Sequence, residues 1–400
     1  MDLDRLRADT PGCELVVHLN NAGAALPPRA VVDAVVNHLW LEARAGGYEA
    51  EAAAAGALEG VHISMARLLG VDPLDVALTE SDTSSWTKAF WGLALGGWFD
   101  GGGRVIVDRA VYNSHYLSLL QARDRFGLII EAIASQADGS LDLDDLDRRL
   151  DSNVRLVTAT HIGTHRGLVN PVAEVGRRTR AVGVPFFLDA CQSAGQLPID
   201  IPAIGCDVAT GTGRKFLRGP RGTGWLYVAP EWSERMQPPG IDGSSASWVD
   251  EEHYELSDRA RRFEQFEASY AGRLGLGAAV DYALATGVAL IAARIKLLAD
   301  SLRSGLAEIG AVIHDGGPAR SALVTFTVPG HDPPSIQRAL SAAGINVSVT
   351  AAPWARLDME QRGLLSAVRA SPHAYNSEDE IDSLVEQVGR LGVREGPTEG

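Results

Sequence analysis

Short apolar runs that alternate with amphipathic stretches are the feature that most restricts how this chain can fold. Runs rich in β-branched and aromatic residues predict buried strands at residues 76–79, 104–108, 128–133, 154–160, 185–189, 207–209 and 224–228. Helical periodicity predicts helices between them, at residues 83–94, 113–126, 143–150 and 171–182. This alternation predicts an α/β fold with a large, mixed and mostly parallel sheet that carries helices on both faces.

The C-terminal part of the chain shows a second pattern of helices and short strands. A helical stretch runs from residue 274 to about residue 310, with a break near Gly287, and short strands then alternate with helices up to residue 391. This predicts a small α+β C-terminal domain over residues 290–400 and a large domain over residues 31–289. Residues 1–30 are expected to pack on the small domain, and the polar segment 237–255 is expected to form a surface loop or lid.

Charge and cysteine content restrict the class of protein. The formal net charge of −15 disfavours nucleic acid and anionic membranes as partners. No apolar run reaches the roughly 18–20 residues of a membrane helix, and the charged first residues do not predict a signal peptide. Cys13, Cys191 and Cys206 form neither a CxxC motif nor a Cys/His cluster, so no metal site is expected. A reducing cytoplasm is the expected compartment.

Lysine is scarce, which limits chemistry that needs an amine. The chain has 36 basic residues, and only Lys88, Lys215 and Lys296 are lysines. We attribute most of this depletion to codon bias. Lys88 and Lys296 fall inside helical patterns, away from predicted strand ends, and are assigned structural roles. Lys215 follows a predicted strand.

Three motifs cluster around Lys215 in the predicted fold. Asp189 ends an apolar strand, where open α/β sheets bind ligands, and either caps a helix or holds a ring nitrogen protonated. Lys215 follows Gly211-Thr212-Gly213-Arg214, which suits a Schiff-base amine near a phosphate, although a solvated lysine would look the same. The hydroxyl-rich run at residues 79–85 starts a helix as an anion site or an ordinary cap. In this order the three motifs provide the phosphate site, the acid for a ring nitrogen and the amine that binding of pyridoxal phosphate requires.

With these motifs the chain resembles a fold-type I pyridoxal-phosphate enzyme of the class V aminotransferase family. This group includes cysteine desulfurases, isopenicillin N epimerases and kynureninases. Asp189-Ala190-Cys191-Gln192 resembles the family's Asp-Ala-x-Gln, and Thr212-Gly213-Arg214-Lys215 resembles its Ser-x-His-Lys. The run Gly219-Pro220-Arg221-Gly222-Thr223-Gly224 also fits, and the resemblance covers nearly the whole chain.

The resemblance implies a role for each matching residue. Lys215 would bind the cofactor covalently and then move the substrate α-proton. Asp189 would pair with the ring nitrogen, Gln192 would contact the ring hydroxyl side, and Thr164 would lie near the ring oxygen. Tyr112 would stack on the ring, unless it is a core residue at the start of a helix.

Phosphate and substrate contacts are implied in the same way. The phosphate would be bound by hydroxyl and acidic residues of the chain itself, namely Thr212, Asp82, Thr83 and Ser84. The family is dimeric, which implies a homodimer with shared active sites in which Ser269 reaches the neighbouring phosphate. Arg369 matches the family's arginine for the α-carboxylate of an amino-acid substrate, and a planar guanidinium suits that anion.

Two departures from the family pattern bear on activity. Arg214 replaces the usual histidine, and residues 347–362 lack the cysteine that carries persulfide in cysteine desulfurases. Thr164-His165-Arg166-Gly167 with Arg214-Lys215 looks most like the carbon–sulfur lyase of ergothioneine biosynthesis and related enzymes of lincosamide antibiotic pathways. The predicted reaction is therefore β-elimination from an S-substituted cysteine, in thiol or natural-product metabolism. Trp354 and the loop at residues 240–248 would shape the substrate pocket.

Other activities stay open at this point. The candidates for the acid that protonates the departing sulfur are Tyr112, His115, His165 and His373. The alternative functions are decarboxylating oxidative deamination of a cysteine conjugate, cysteine desulfuration, epimerisation, transamination and non-catalytic binding of pyridoxal phosphate. Intact Lys215, Asp189 and Arg369 argue against the last of these. Elimination and decarboxylation start from the same bound substrate, so motifs alone do not separate them.

Overall fold

A computed structural model describes residues 1–392 of the chain; residues 393–400 of the predicted small domain lie outside it. The α-helices of the described residues are α1 (Leu3–Ala8), α2 (Arg29–Ala45), α3 (Gly47–Leu69), α4 (Asp82–Leu95), α5 (Asn113–Phe126), α6 (Leu143–Arg149), α7 (Val172–Val182), α8 (Ile201–Ile204), α9 (Pro230–Ser233), α10 (Tyr270–Thr286), α11 (Val288–Glu308), α12 (Pro333–Ala342), α13 (Arg356–Gln361) and α14 (Glu378–Leu391).

The β-strands of the same residues form a large sheet, a small sheet and two short pairs. They are β1 (Val17–His18), β2 (Val76–Thr79), β3 (Gly103–Val107), β4 (Leu128–Ala132), β5 (Val154–Thr160), β6 (Phe186–Asp189), β7 (Val208–Thr212), β8 (Gly224–Val228), β9 (Ala246–Trp248), β10 (Tyr254–Leu256), β11 (Val312–Ile313), β12 (Val324–Thr327), β13 (Ile345–Asn346), β14 (Ser348–Ala351) and β15 (Ser366–Ala370).

The large sheet confirms the predicted α/β fold. Its seven strands have the order β2-β8-β7-β6-β5-β3-β4, and β8 alone runs antiparallel to its neighbours. All residues of β2, β6, β7 and β8 are buried, as expected for strands covered on both faces. Parallel neighbours end at the same edge of a sheet, so the carboxyl ends of β5, β6 and β7 meet there.

A four-stranded antiparallel sheet forms the C-terminal part, in the order β11-β12-β15-β14. Its core includes buried residues of α11, α12 and α14. The N-terminal segment joins this part, because β1 pairs with β13 and Asn20 forms a bridge with Ser371. The predicted boundary at residue 290 falls inside α11, and the division into domains stays a prediction.

Two regions differ from the sequence-based expectation. The segment expected to be a loop contains an antiparallel hairpin of β9 and β10, whose turn is closed by Asp250 accepting a hydrogen bond from the Glu252 amide. The helices α2 and α3, which pack against α10, were not predicted. Their sequence is rich in alanine, so it carries a weak amphipathic pattern.

Over residues 1–392 no single helix is long and apolar enough to cross a membrane, although α10 and α11 pass that test as a pair that bends by 80°.

Candidate active site

A cavity of about 550 Å³ lies at the edge of the sheet where the carboxyl ends of β5, β6 and β7 meet. The start of α4 reaches the same edge. The residues that line the cavity are Ser81, Asp82, Thr83, Ala110, Tyr112, Thr160, Ile162, Thr164, Asp189, Cys191, Gln192, Thr212, Arg214 and Lys215. The topology therefore brings together most of the residues that the motifs single out.

Lys215 lies in the loop after β7 and its side chain is buried. Its Nζ lies 3.1 Å from the Cys191 Sγ. The loop is tight at Gly213, whose amide donates a hydrogen bond to the Thr223 carbonyl. A Cβ at Gly213 would lie 2.2 Å from Thr223 Oγ1, so only glycine fits there. The backbone thus holds an amine inside the cavity, where it can react with a carbonyl compound.

Asp189 lies at the end of β6 and faces a second buried carboxylate. Its Oδ1 accepts a hydrogen bond from the Cys191 amide at 2.9 Å. Burial, together with the nearby charge of Asp82, raises the pKa of Asp189 to about 6. Asp82 accepts hydrogen bonds from Thr210 Oγ1 at 2.7 Å and from His115 Nε2 at 3.1 Å. This end of the cavity is acidic and can bind a cationic ring nitrogen.

Arg369, on β15, crosses to the cavity from the C-terminal sheet. Its Nη1 donates hydrogen bonds to the Thr164 carbonyl at 2.7 Å and to Thr164 Oγ1 at 2.9 Å. The Nε of Arg369 is buried and has no partner among residues 1–392. Burial lowers the pKa of Arg369 to about 10. A buried guanidinium that contacts only neutral groups suits an anionic ligand, since an unpaired buried charge is costly.

A second cavity of about 610 Å³ continues from the first toward solvent and forms its mouth. The two share Tyr112, Thr164, Arg214 and Lys215. The further residues that line the mouth are Ala22, Gly23, Ser348, Val349, Thr350, Trp354 and Arg369. The site therefore combines an acidic floor, an amine in the middle and two arginines at the mouth.

Comparison with known proteins shows which family has this arrangement. The family model described as aminotransferase class-V matches residues 17–384. The chain belongs to the class-V aminotransferase family. Like other members, it is an enzyme that uses pyridoxal phosphate.

Two curated relatives and one solved structure illustrate the similarity. The chain is 29% identical over 405 residues to a probable cysteine desulfurase of Methanothermobacter thermautotrophicus, covering 98% of this chain and 99% of the relative. It is 30% identical over 388 residues to a probable hercynylcysteine sulfoxide lyase of Mycobacterium tuberculosis, covering 96% and 92%. The apo cysteine desulfurase of Thermococcus onnurineus matches with a TM-score of 0.90 and 26% identity, covering 97% of each chain.

The residues of this class-V enzyme fit pyridoxal phosphate. Lys215 offers the amine and Asp189 offers a buried carboxylate. Gln192 donates hydrogen bonds from Nε2 to the Ala22 carbonyl and to Thr164 Oγ1, both at 3.1 Å. Its Oε1 is buried and has no partner in the part of the chain that the structure describes. That unpartnered oxygen can accept a hydrogen bond from a ring hydroxyl.

The implied phosphate residues are only partly brought together. Thr83 and Thr212 line the cavity, with Thr212 Oγ1 donating to the Thr223 carbonyl at 3.1 Å. The Ser84 hydroxyl donates to Glu80 Oε2 at 2.6 Å, and Ser84 does not line the cavity. The Asp82 carboxylate is engaged by His115 and Thr210. A phosphate contact by this side chain is therefore unfavourable, because two anions repel each other.

Ser269 lies outside the cavity of its own chain. Its hydroxyl caps α10 by accepting a hydrogen bond from the Gly272 amide at 3.1 Å. The expected contact of Ser269 with a neighbouring subunit stays a prediction.

The structure separates the four candidates for the proton donor. His165 Nε2 pairs with Asp358 at 3.0 Å, and His373 Nε2 faces the Phe216 carbonyl at 3.0 Å. Burial lowers the pKa of His373 to about 3. Tyr112 is the one of the four that lines both cavities, whereas His115 lies behind the floor.

The sequence patterns did not identify several of the residues that line the mouth. Ala22 and Gly23 come from the N-terminal segment, and Ser348 and Thr350 come from β14, beside Arg369. The register that pairs Ser348 with Arg369 is a long-range property, and no local motif marks it. The Asp82–His115 pair was also missed.

Proposed function

We propose that the enzyme is a carbon–sulfur lyase that acts on an S-substituted cysteine by β-elimination. The observation that carries this proposal is the absence of a thiol at the described mouth, where Ser348, Thr350 and Trp354 stand. A desulfurase needs a thiolate to accept sulfur. Cys191 and Cys206 are buried, and burial raises the pKa of both thiols.

The mouth supports a substrate larger than cysteine itself. It opens toward solvent and carries the half-exposed indole of Trp354 at its rim, so a substituent on sulfur can extend out of the cavity. Arg369 would bind the substrate α-carboxylate, because its guanidinium faces the cavity and forms hydrogen bonds only to Thr164 among the described residues. The substituent on sulfur would then extend toward Trp354.

Each residue has a defined part in the proposed mechanism. Pyridoxal phosphate, when bound, makes the substrate α-hydrogen acidic by delocalising electrons into its ring. Lys215 Nζ takes up that proton, while Asp189 holds the proton on the ring nitrogen. The bond between Cβ and sulfur then breaks, and Tyr112 donates its hydroxyl proton so that sulfur leaves as a thiol. Water completes the conversion of the remaining carbon skeleton to pyruvate and ammonia.

The proposal extends to the assembly of the enzyme and its setting in the cell. A homodimer with shared active sites is supported by apolar side chains that α2 exposes, namely Val32, Val36, Leu39 and Trp40. We also propose cytoplasmic action in thiol or natural-product metabolism, including antibiotic biosynthesis.

Product analysis tests the proposed reaction. Purified, cofactor-loaded enzyme is incubated with S-substituted cysteines, in air and without oxygen, and pyruvate, ammonia, thiol and carbon dioxide are measured together. We expect equal amounts of pyruvate, ammonia and thiol, independent of oxygen. Carbon dioxide with an aldehyde and oxygen uptake would overturn the proposal and establish decarboxylating oxidative deamination instead.

A second candidate is a desulfurase-like reaction in which Cys191 accepts the sulfur. It is favoured by the contact of Cys191 Sγ with Lys215 Nζ and by the desulfurase names of several relatives.

If elimination needs no persulfide, Cys191→Ala should keep most of the lyase rate, because the thiol only packs beside the amine. The matched control is Cys206→Ala, another buried thiol outside the cavity. Complete loss of activity in Cys191→Ala, with the cofactor still bound, would favour the desulfurase candidate.

A further inference from the structure

Two carboxylates and one imidazole form a buried group at the floor of the site. His115 Nε2 lies 3.1 Å from Asp82 Oδ2, and His115 Nδ1 lies 3.7 Å from Asp189 Oδ2. All three side chains are buried. Over residues 1–392 Nδ1 has no hydrogen-bond partner, and this side of the imidazole faces Asp189. This contact joins the end of β6 to the starts of α4 and α5.

The two acids are too close to be ionised together without a cation. Asp82, Asp189 and Cys191 each place a polar atom within 4.8 Å of the others. Two ionised carboxylates this close repel each other, and the charge of Asp82 raises the pKa of Asp189. His115 lies beside both acids, and in the imidazolium form both ring nitrogens are donors. One positive charge at this position can therefore keep both acids ionised.

Aromatic packing fixes the position of the imidazole. The His115 ring stacks on Trp86 with centroids 4.8 Å apart and planes 11° apart. Trp86 in turn stacks on Phe90 at 4.6 Å. Asp82 and Trp86 lie four residues apart on α4, hence on one face of that helix. The same helix thus provides the partner of Nε2 and the surface against which the ring packs.

We propose that His115, held by Asp82 and Trp86, is a positioning residue that keeps Asp189 ionised, so that Asp189 can hold the proton on the ring nitrogen of bound pyridoxal phosphate. The inference rests on the proposed role of Asp189.

The electrostatics of the surroundings agree with this geometry. The titratable and charged groups that face His115 and Asp189 are Asp82, Asp108, Tyr112, Cys191 and Lys215. Burial alone would lower the pKa of His115, but the charge and hydrogen bond of Asp82 raise it overall. Burial alone would raise the pKa of Asp82, but His115 lowers it overall. The pKa of Asp189 is already raised to about 6, so loss of the nearby cation moves it toward neutral pH.

The test measures cofactor binding in variants of the cofactor-free enzyme. His115→Gln keeps a hydrogen-bonding side chain but removes the charge. The dissociation constant of added pyridoxal phosphate and the visible absorption band of the bound cofactor are followed from about pH 5 to about pH 9. Because a protonated Asp189 loses its attraction for the ring nitrogen, we expect the acid limb to shift up from about pH 6 by about one pH unit. Binding should then be about tenfold weaker near pH 5 and about twofold weaker at pH 7.

A double variant separates charge from structure. In Asp82→Asn/His115→Gln the second carboxylate is also neutral, so Asp189 ionises readily and most of the lost affinity should return. Equal or greater loss in the double variant would overturn the proposal, as would a His115→Gln curve identical to that of the wild type. If His115→Gln does not fold, His115→Asn removes the same charge.

Two further variants complete the experiment. His38→Gln is the matched control, because His38 is a buried histidine of α2 that lies 3.2 Å from Glu42 and outside the cavity; it should follow the wild-type curve. Asp189→Asn tests the role on which the inference rests. If Asp189→Asn binds the cofactor normally, the role of Asp189 is wrong. If Asp189→Asn binds weakly and His115→Gln binds normally, only the inference about His115 is wrong.

Discussion

Replacing Lys215 with alanine should lower the lyase rate by about 10⁴-fold or more and remove the visible absorption of covalently bound cofactor. One amine is assigned both the covalent bond and the transfer of the α-proton, and general acid–base catalysis alone contributes about 10²–10⁴-fold. The structure provides no substitute, because Lys88 donates its hydrogen bonds to Phe263 and Gln265 and Lys296 pairs with Asp300. The measurements are the single-turnover rate and the absorption spectrum.

The control for this variant is Lys296→Ala. Lys296 is an exposed residue of α11 whose partner lies four residues along the same helix, and such pairs contribute little. We expect a wild-type rate and spectrum. Turnover and cofactor absorption that survive in Lys215→Ala would contradict the assignment of the amine. Added small amines should restore a fraction of the rate by supplying a base in the vacated space.

Replacing Arg369 with glutamine should raise the KM for an α-carboxylate substrate by about 100-fold, because charged hydrogen bonds contribute about 1.5–3 kcal/mol each. The guanidinium is buried and interacts with Thr164, so it is held in place before substrate binds. Arg369→Lys should show an intermediate KM, since an ammonium does not present a planar pair of donors. Steady-state kinetics on an S-substituted cysteine provide the comparison.

A substrate pair makes the test specific for the carboxylate. The wild type should prefer an S-substituted cysteine over the corresponding S-substituted cysteamine, which lacks that group, and Arg369→Gln should lose the preference. Arg356→Gln is the control, because Arg356 lies on nearby α13 but is exposed and paired with Glu360. An unchanged KM in Arg369→Gln would remove this residue as the carboxylate clamp.

The large sheet and its edge could be predicted from sequence because each depends on local patterns. Val76–Thr79, Val154–Thr160 and Gly224–Val228 are buried along their whole length or nearly so, and each appears in the sequence as an apolar run. Asp189 ends β6, and Lys215 follows β7 after a short loop. Neighbouring parallel strands end at the same edge of a sheet. The positions of Asp189 and Lys215 at and after their strands are therefore enough to predict that both residues lie at that edge.

The remaining parts of the site depend on packing that no short motif determines. Asp82 and His115 are 33 residues apart, and their contact depends on how α4 and α5 pack on the sheet. As separate residues, an acid in the first turn of a helix and a helical histidine look ordinary. Ala22 and Gly23 could not be identified from the sequence either, because no sequence motif marks a small residue that lines the mouth. The proton donors also could not be ranked until burial and partners were known.

The pairing of the N-terminal segment with the end of the chain has a consequence for biosynthesis. Asn21 Nδ2 donates a hydrogen bond to the Ser371 carbonyl, across 350 residues of sequence. At translation rates of about 5–20 residues per second, roughly 20–70 s pass between the synthesis of Asn21 and the synthesis of Ser371. The large sheet can form during that interval, whereas the substrate site closes only after nearly the whole chain has left the ribosome.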